Sequence, residues 1–287
     1  MNPLELLPDK IAELVHELSV LPYNDMHFEG AVTDPLVLTN YVVWGMLALF
    51  TVIVMFIVAA GREKRQMQLA TETGDVKALA PAGRFVSMIE MGVEFIRDMA
   101  VDVIGEKDGP KFVPLLGTFF FMILVSNLFG LLPAGKSIGG AIGGTVALAL
   151  TSWIVFVWVG FTKNGAYGYL KSLIPSGVRE MPLAGRLLLG GFIFLLEFVS
   201  TFIVRPLTLA VRLFANLYAG HIILGVFSAF VMLFITTGIG GIFVSGISLV
   251  FLILMYAFEV FVAFIQAYVF TILTAVYIQS SVHASEH

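Results

Sequence analysis

Apolar stretches of about twenty residues or more recur along this chain, separated by shorter charged ones, and about twenty residues is the length a helix needs to cross ~30 Å of hydrocarbon. The pattern does not alternate residue by residue as the strands of a barrel would. It predicts a first transmembrane helix over 37–61, a membrane helical hairpin over 111–163, and two longer apolar runs over 186–236 and 242–281. At 1.5 Å per residue these runs reach roughly 75 Å and 58 Å, far more than the hydrocarbon core. Two upright spans within 186–236 would need a polar turn near its middle, where only Arg205-Pro206 stands. Proline there kinks a helix without reversing it. The pattern therefore predicts two long, strongly tilted helices folded as an antiparallel hairpin about Thr237–Gly241.

One helical segment differs from these. Over 85–106, Glu90, Glu94, Arg97, Asp98 and Asp102 share one face, opposite Phe85, Met88, Phe95 and Met99. Such a helix lies at the membrane interface. The predicted fold is thus an all-α polytopic membrane protein with upright spans, one amphipathic interfacial helix and the tilted C-terminal hairpin. The first 36 residues form an external segment with a short amphipathic helix carrying Leu7, Ile11, Leu14 and Leu18 on one side. Their sequence lacks the basic flank of a signal peptide.

Charge orients the chain. The segment before the first span has one basic residue, Lys10, against seven acidic ones, whereas the loop over 62–84 carries Arg62, Lys64, Arg65, Lys77 and Arg84. Lys163, Lys171 and Arg179 mark the loop over 164–185, with Arg186 at its end. By the positive-inside rule both loops and the C-terminus are cytoplasmic and the N-terminus is outside.

Composition agrees and closes other classes. Hydrophobic residues make up 59% of the chain and charged ones 13%, too little polar surface to cover a soluble globule. There is no cysteine, and hence no disulfide, thiolate metal site or thiol nucleophile. A net charge of -4 does not suit nucleic acid. H-E-x-x-H does not occur, so a metallohydrolase reading lacks its metal site. Gly130-Leu-Leu-Pro-Ala-Gly135-Lys136-Ser137 fits the phosphate-loop pattern, but it follows a membrane span on the outer side instead of a strand. No bound nucleotide, metal or cofactor is expected.

Candidate chemistry lies in the hairpin, because each ionisable group within hydrocarbon costs at least ~2.5 kcal/mol and is retained for a reason. These groups are Glu197, Arg205, Arg212, His221 and Glu259. A mirror about residue 239 sets Arg212 opposite Gln266 and His221 within a turn of Glu259. Arg212, Asn216 and Gly220 are four apart, and Glu259 and Gln266 seven apart, each set on one face. The structural alternative is an Arg212 that snorkels to a headgroup and a His221–Glu259 clasp that only joins two helices. Arg212 has about two dozen mostly apolar residues on each side, which opposes snorkelling. Arg205 beside Pro206 can reach an interface or a phospholipid. Glu197 either lines an inner aqueous path or serves as the counter-ion of Arg205.

The stretch Arg205-Pro206-Leu-Thr-Leu-Ala-Val-Arg212-Leu-Phe-Ala-Asn216-Leu-Tyr-Ala-Gly220-His221 resembles the signature of subunit a of F-type ATP synthases, R-L-F-x-N-x-x-A-G followed by His or Glu. Glu259, Gln266 and the sequence through Tyr277 match the family's last helix, and Ser126-Asn127-Leu-Phe-Gly-Leu-Leu-Pro133 resembles its first intramembrane hairpin. The likeness covers about residue 80 to the C-terminus. One departure is that the stretch from Glu197 to Arg212 is one residue longer than in many members. At about 100° per residue this turns Glu197 off the expected face.

The resemblance implies a proton-conducting stator whose Arg212 faces a rotating ring of c subunits. Asn216, His221, Glu259, Gln266 and Asn127 would line a proton half-channel, with Glu197 on the inner side. It also implies subunit b of the peripheral stalk and the rest of the synthase as partners, in a bacterial plasma membrane. A sodium-translocating version remains open, as does a carrier or scaffold that uses Arg212 to bind an anion.

Overall fold

The computed structural model describes residues 40–73, 83–132, 135–172 and 183–283. The expected N-terminal amphipathic helix lies outside the described residues, as do 74–82 and 173–182 of the two basic loops. All the described elements are helical, with no strand among them. In chain order they are α1 (Asn40–Thr73), α2 (Arg84–Ile104), α3 (Gly109–Gly130), a short 3-10 turn (Ile138–Gly140) and α4 (Ile142–Ser172). Then follow α5 (Leu183–Val199), a π-helical turn (Ser200–Val204), α6 (Arg205–Phe234) and α7 (Ile239–Val282).

Five helical stretches among the described residues are long and apolar enough to span a membrane: Tyr41–Gly61, Gly109–Gly130, Ile142–Gly165, Leu189–Phe234 and Ile239–Val282. They make the chain an all-α polytopic membrane protein, the fold class that the apolar pattern predicts. The last has 44 residues, so its length of ~66 Å fits a bilayer only when steeply tilted. Its hairpin with α6 turns at Gly238, whose φ of 90° an L side chain rarely adopts. Near the turn the mirror register holds, since Phe227 and Phe251 stack at 5.6 Å and Ser245 Oγ donates to the Val231 carbonyl at 3.0 Å.

Two helix ends differ from expectation. Helix α1 does not stop where its apolar run ends but continues through Thr73, because residues such as Lys64, Arg65, Gln66, Met67 and Gln68 are good helix formers and no Gly or Pro intervenes. Helix α4 likewise passes residue 164, with a kink at Gly165 (φ 71°), before ending at Ser172.

Helix α2 has three faces where the sequence suggested two. Val86, Ile89, Ile96, Met99, Ala100 and Ile104 are buried, while Phe85, Met88, Met91 and Phe95 are exposed. Of the expected apolar face, only Met99 is buried. The charged residues read correctly as one side, but the opposite side divides between a stripe packed on the bundle and an apolar stripe left uncovered.

Helix α7 is the spine of the packing. Its second half buries Phe270 and Ile278 together with Ala263, Ala267, Thr271, Thr274 and Ala275, whose small or hydroxylic side chains let neighbours approach closely. Phe119 of α3 meets Phe270 edge-on at 5.5 Å, Ser152 of α4 hydrogen-bonds Thr274 at 2.9 Å, and Asn164 donates to the Ser281 carbonyl at 2.8 Å. Its first half is mostly exposed. Glu259 and Gln266 stand where the exposed half meets the packed one.

Candidate functional site

The site begins at the π turn. There the Arg205 N–H bonds the Ser200 carbonyl, five residues back, so the turn holds one residue more than an α turn. Pro206 supplies no N–H of its own in the turn that follows. Eight residues separate Glu197 from Arg205, and a plain α-helix would set them about 80° apart. The extra residue makes the spacing act as seven, or two turns. Arg205 accordingly donates to Glu197 Oε1 at 2.8 Å, and its guanidinium lies 5.2 Å from the Tyr277 ring centre. The pair makes Glu197 a counter-ion of Arg205, and Tyr277 is a partner that spacing alone did not reveal. The same turn takes up the extra residue that the resemblance implies between Glu197 and Arg212.

Two turns further on, Arg212 is exposed on the outer side of α6. Among the described residues it makes no hydrogen bond and no ion pair. Thr208, Ala215 and Ala219 are exposed beside it, so the surface around the guanidinium is shallow. Small residues of this kind let another helix come close.

The opposed pairs differ in detail from the mirror. Gln266, buried on α7, accepts from Asn216 Nδ2 at 3.2 Å instead of bonding Arg212. Glu259 is also buried, and its carboxylate lies against Gly220, where an added Cβ would run into it. His221 does not bond Glu259. Its Nε2 lies 3.4 Å from where a Cβ on Gly130 would stand, at the end of α3. The sequence thus selected residues of one neighbourhood but shifted the partner of Gln266 by a helical turn.

The segment after α3 closes this neighbourhood from a second side. Ser137, fully buried, donates to Asn127 Oδ1 at 3.1 Å and accepts from the Gly139 N–H at 3.1 Å. Ser126 Oγ accepts from the Ile138 N–H at 2.8 Å. Gly139 sits against Leu217 and Leu213 of α6, and a Cβ there would require the Leu217 side chain to shift. Asn127 is therefore the anchor of a backbone segment, and its Nδ2 has no partner among the described residues. Ser126 and Gly130 stand in the stretch that resembles the family's first intramembrane hairpin, and Ser137 in the phosphate-loop-like pattern, but neither reading gave them these contacts. In that pattern Gly130 ends a helix, and no strand precedes it.

Among the described residues no group of His, Cys, Asp and Glu could hold a metal ion. The arrangement offers one uncompensated guanidinium on a surface and, behind it, a carboxylate, an imidazole and two carboxamides between helices. The family model described as ATP synthase A chain matches residues 40–279. The chain belongs to that family.

Relatives named ATP synthase subunit a include one from Hyphomonas neptunium, 41% identical over 221 residues, which cover 76% of this chain and 81% of the relative. One from Rhodococcus erythropolis is 39% identical over 218 residues, with 73% and 74% covered. One from Nitrobacter hamburgensis is 40% identical over 201 residues, with 70% and 77% covered. As a member of the ATP synthase A chain family this is a multi-pass membrane subunit without a catalytic centre of its own.

Proposed function

We propose that this chain is the proton-conducting stator of an F-type ATP synthase, with Arg212 as a fixed charge beside a rotating ring of c subunits that each carry a buried carboxylate. The observation that carries the reading is the exposed, unpaired guanidinium on an apolar, small-residue face of a tilted helix. A charge so placed is costly unless a partner covers it with an opposite charge. Arginine suits the role because it stays protonated in a low-dielectric site, where lysine could lose its proton. It draws each passing carboxylate into the ionised form and blocks direct proton leakage between the two half-channels.

With the basic loops inside, α6 runs from the inner to the outer side, and His221 lies about 13 Å beyond Arg212 toward the outside. His221, Glu259, Asn216, Gln266 and Asn127 then belong to the outer half-channel. Glu197, with Arg205, lies on the inner side. Subunit b and the remaining synthase subunits complete the assembly. Each proton contributes about 2.3 kcal/mol per 100 mV, so several must cross for each ATP.

Arg212→Ala in the assembled complex, reconstituted in vesicles, tests this. Proton-driven ATP synthesis should fall to background, and synthesis that persists would remove Arg212 from the role. Dependence of synthesis on sodium at fixed pH would favour the sodium-translocating version. Absence of a co-purifying ring of small proteolipids would favour a carrier that binds an anion at Arg212.

A further inference from the structure

Lys136 has no task in the stator role. It follows Gly135 and precedes the buried Ser137, so the network of Ser137 with Asn127 and Ser126 fixes its backbone at the end of α3. Ser137 N and His221 Nε2 both approach Gly130, 3.3 Å and 3.4 Å from the point where its Cβ would be. The imidazole and the residue after Lys136 are thus neighbours beside one glycine. The Lys136 ammonium is half-buried and lies 5.5 Å from the centre of the Tyr41 ring of α1. It makes no ion pair among the described residues. An aromatic face holds a cation without neutralising it. The positive charge of Lys136 therefore stays in the neighbourhood of His221, with Glu259 the buried carboxylate on α7.

We propose that Lys136 is a selectivity-determining residue of the outer inlet, a fixed positive charge that keeps sodium and other metal cations from reaching Glu259 while protons pass through His221. This rests on the stator reading. Fixed charges in narrow polar paths act as electrostatic barriers to ions of the same sign. A metal cation must cross the field of Lys136 whole, with nothing to gain from an imidazole that prefers a proton at its nitrogen. A proton instead forms an N–H bond at one His221 nitrogen, and the imidazole releases a proton onward, so the covalent bond offsets the repulsion. Tyr41 is a positioning residue that keeps the ammonium from swinging outward.

The experiment uses the complete synthase in vesicles, driven by a fixed pH gradient and potential, with sodium replacing choline at constant ionic strength. The unsubstituted complex and Lys136→Arg should synthesise ATP at the same rate in both salts. Lys136→Gln should lose roughly threefold or more of its rate in sodium and match the unsubstituted complex in choline. If Lys136→Gln fails to assemble with the c ring, Lys136→Met carries the same comparison, since it keeps the length of the chain. Equal rates in the two salts for the neutral variant overturn the proposal. Failure of the stator reading looks different, because Arg212→Ala would then sustain synthesis in either salt.

Discussion

The carboxylate of Glu259 is buried against the backbone of Gly220, in the space that a side chain on α6 would fill. Glycine at that point costs the helix ~1 kcal/mol relative to alanine, so its presence marks a need for room and not for helicity. Gly220→Ala should strengthen the local helix yet push the carboxylate from its place. Proton-driven synthesis in vesicles should drop at least about tenfold while the c ring still co-purifies. Adding Glu259→Asp, which withdraws the carboxylate by one methylene, should restore part of the rate. An unchanged rate in Gly220→Ala would show that the position of Glu259 does not limit proton transfer.

Asp108, just before α3, joins two helix ends. Lys111 reaches it at 2.7 Å from the first turn of α3, and Lys163 at 3.1 Å from α4. Hydrogen bonds from Lys111 and then Lys163 hold its carboxyl at about 2, below the usual carboxylate value. Because the folded value is depressed, the stabilisation is fully present above the unfolded pKa near ~4 and disappears as pH falls through about 2. Both lysines are well exposed, which limits the effect to about 1 kcal/mol. Asp108→Asn should lower the melting midpoint of the detergent-solubilised subunit at pH 6, and the difference from the unsubstituted chain should close as pH approaches 2. A gap that persists at low pH would assign the loss to packing instead.

The long apolar helices were legible because hydrocarbon leaves one option for the backbone, and the lengths of 186–236 and 242–281 already required tilt. The end of α1 was not, since polarity ends an apolar run without ending a helix. Helix α2 was half legible, because a period of 3.6 separates charged from apolar positions but cannot tell a packed Ile96 from an exposed Phe95. In the site, the residue types converged as expected, yet a flat mirror ignores the way two helices cross. It held at Phe227 and Phe251 near the turn and had slipped by a turn at Asn216 and Gln266. Gly220 was read beside Arg212 and Asn216 and Gly130 within two motifs, but the close approach each permits went unread because a missing side chain has no hydrophobic signature.

The one sequence signal for the π turn was the extra residue between Glu197 and Arg212, and the turn makes a direct prediction about register. Deleting Ile203, which is exposed, should return Ser200–Val204 to an α turn and leave Glu197 and Arg205 seven apart, on the face they now share. Such a complex should assemble and synthesise ATP within about twofold of the unsubstituted rate. Inserting one alanine after Ile203 should instead rotate Glu197 by about 100° relative to Arg205 and Arg212, breaking the 2.8 Å pair. Synthesis should then fall at least about tenfold, because Arg205 would lose its carboxylate inside an apolar helix. Equal losses in the two variants would mean that the π turn serves its own geometry, whereas tolerance of the deletion alone would establish it as the device that holds Glu197 in register with the two arginines.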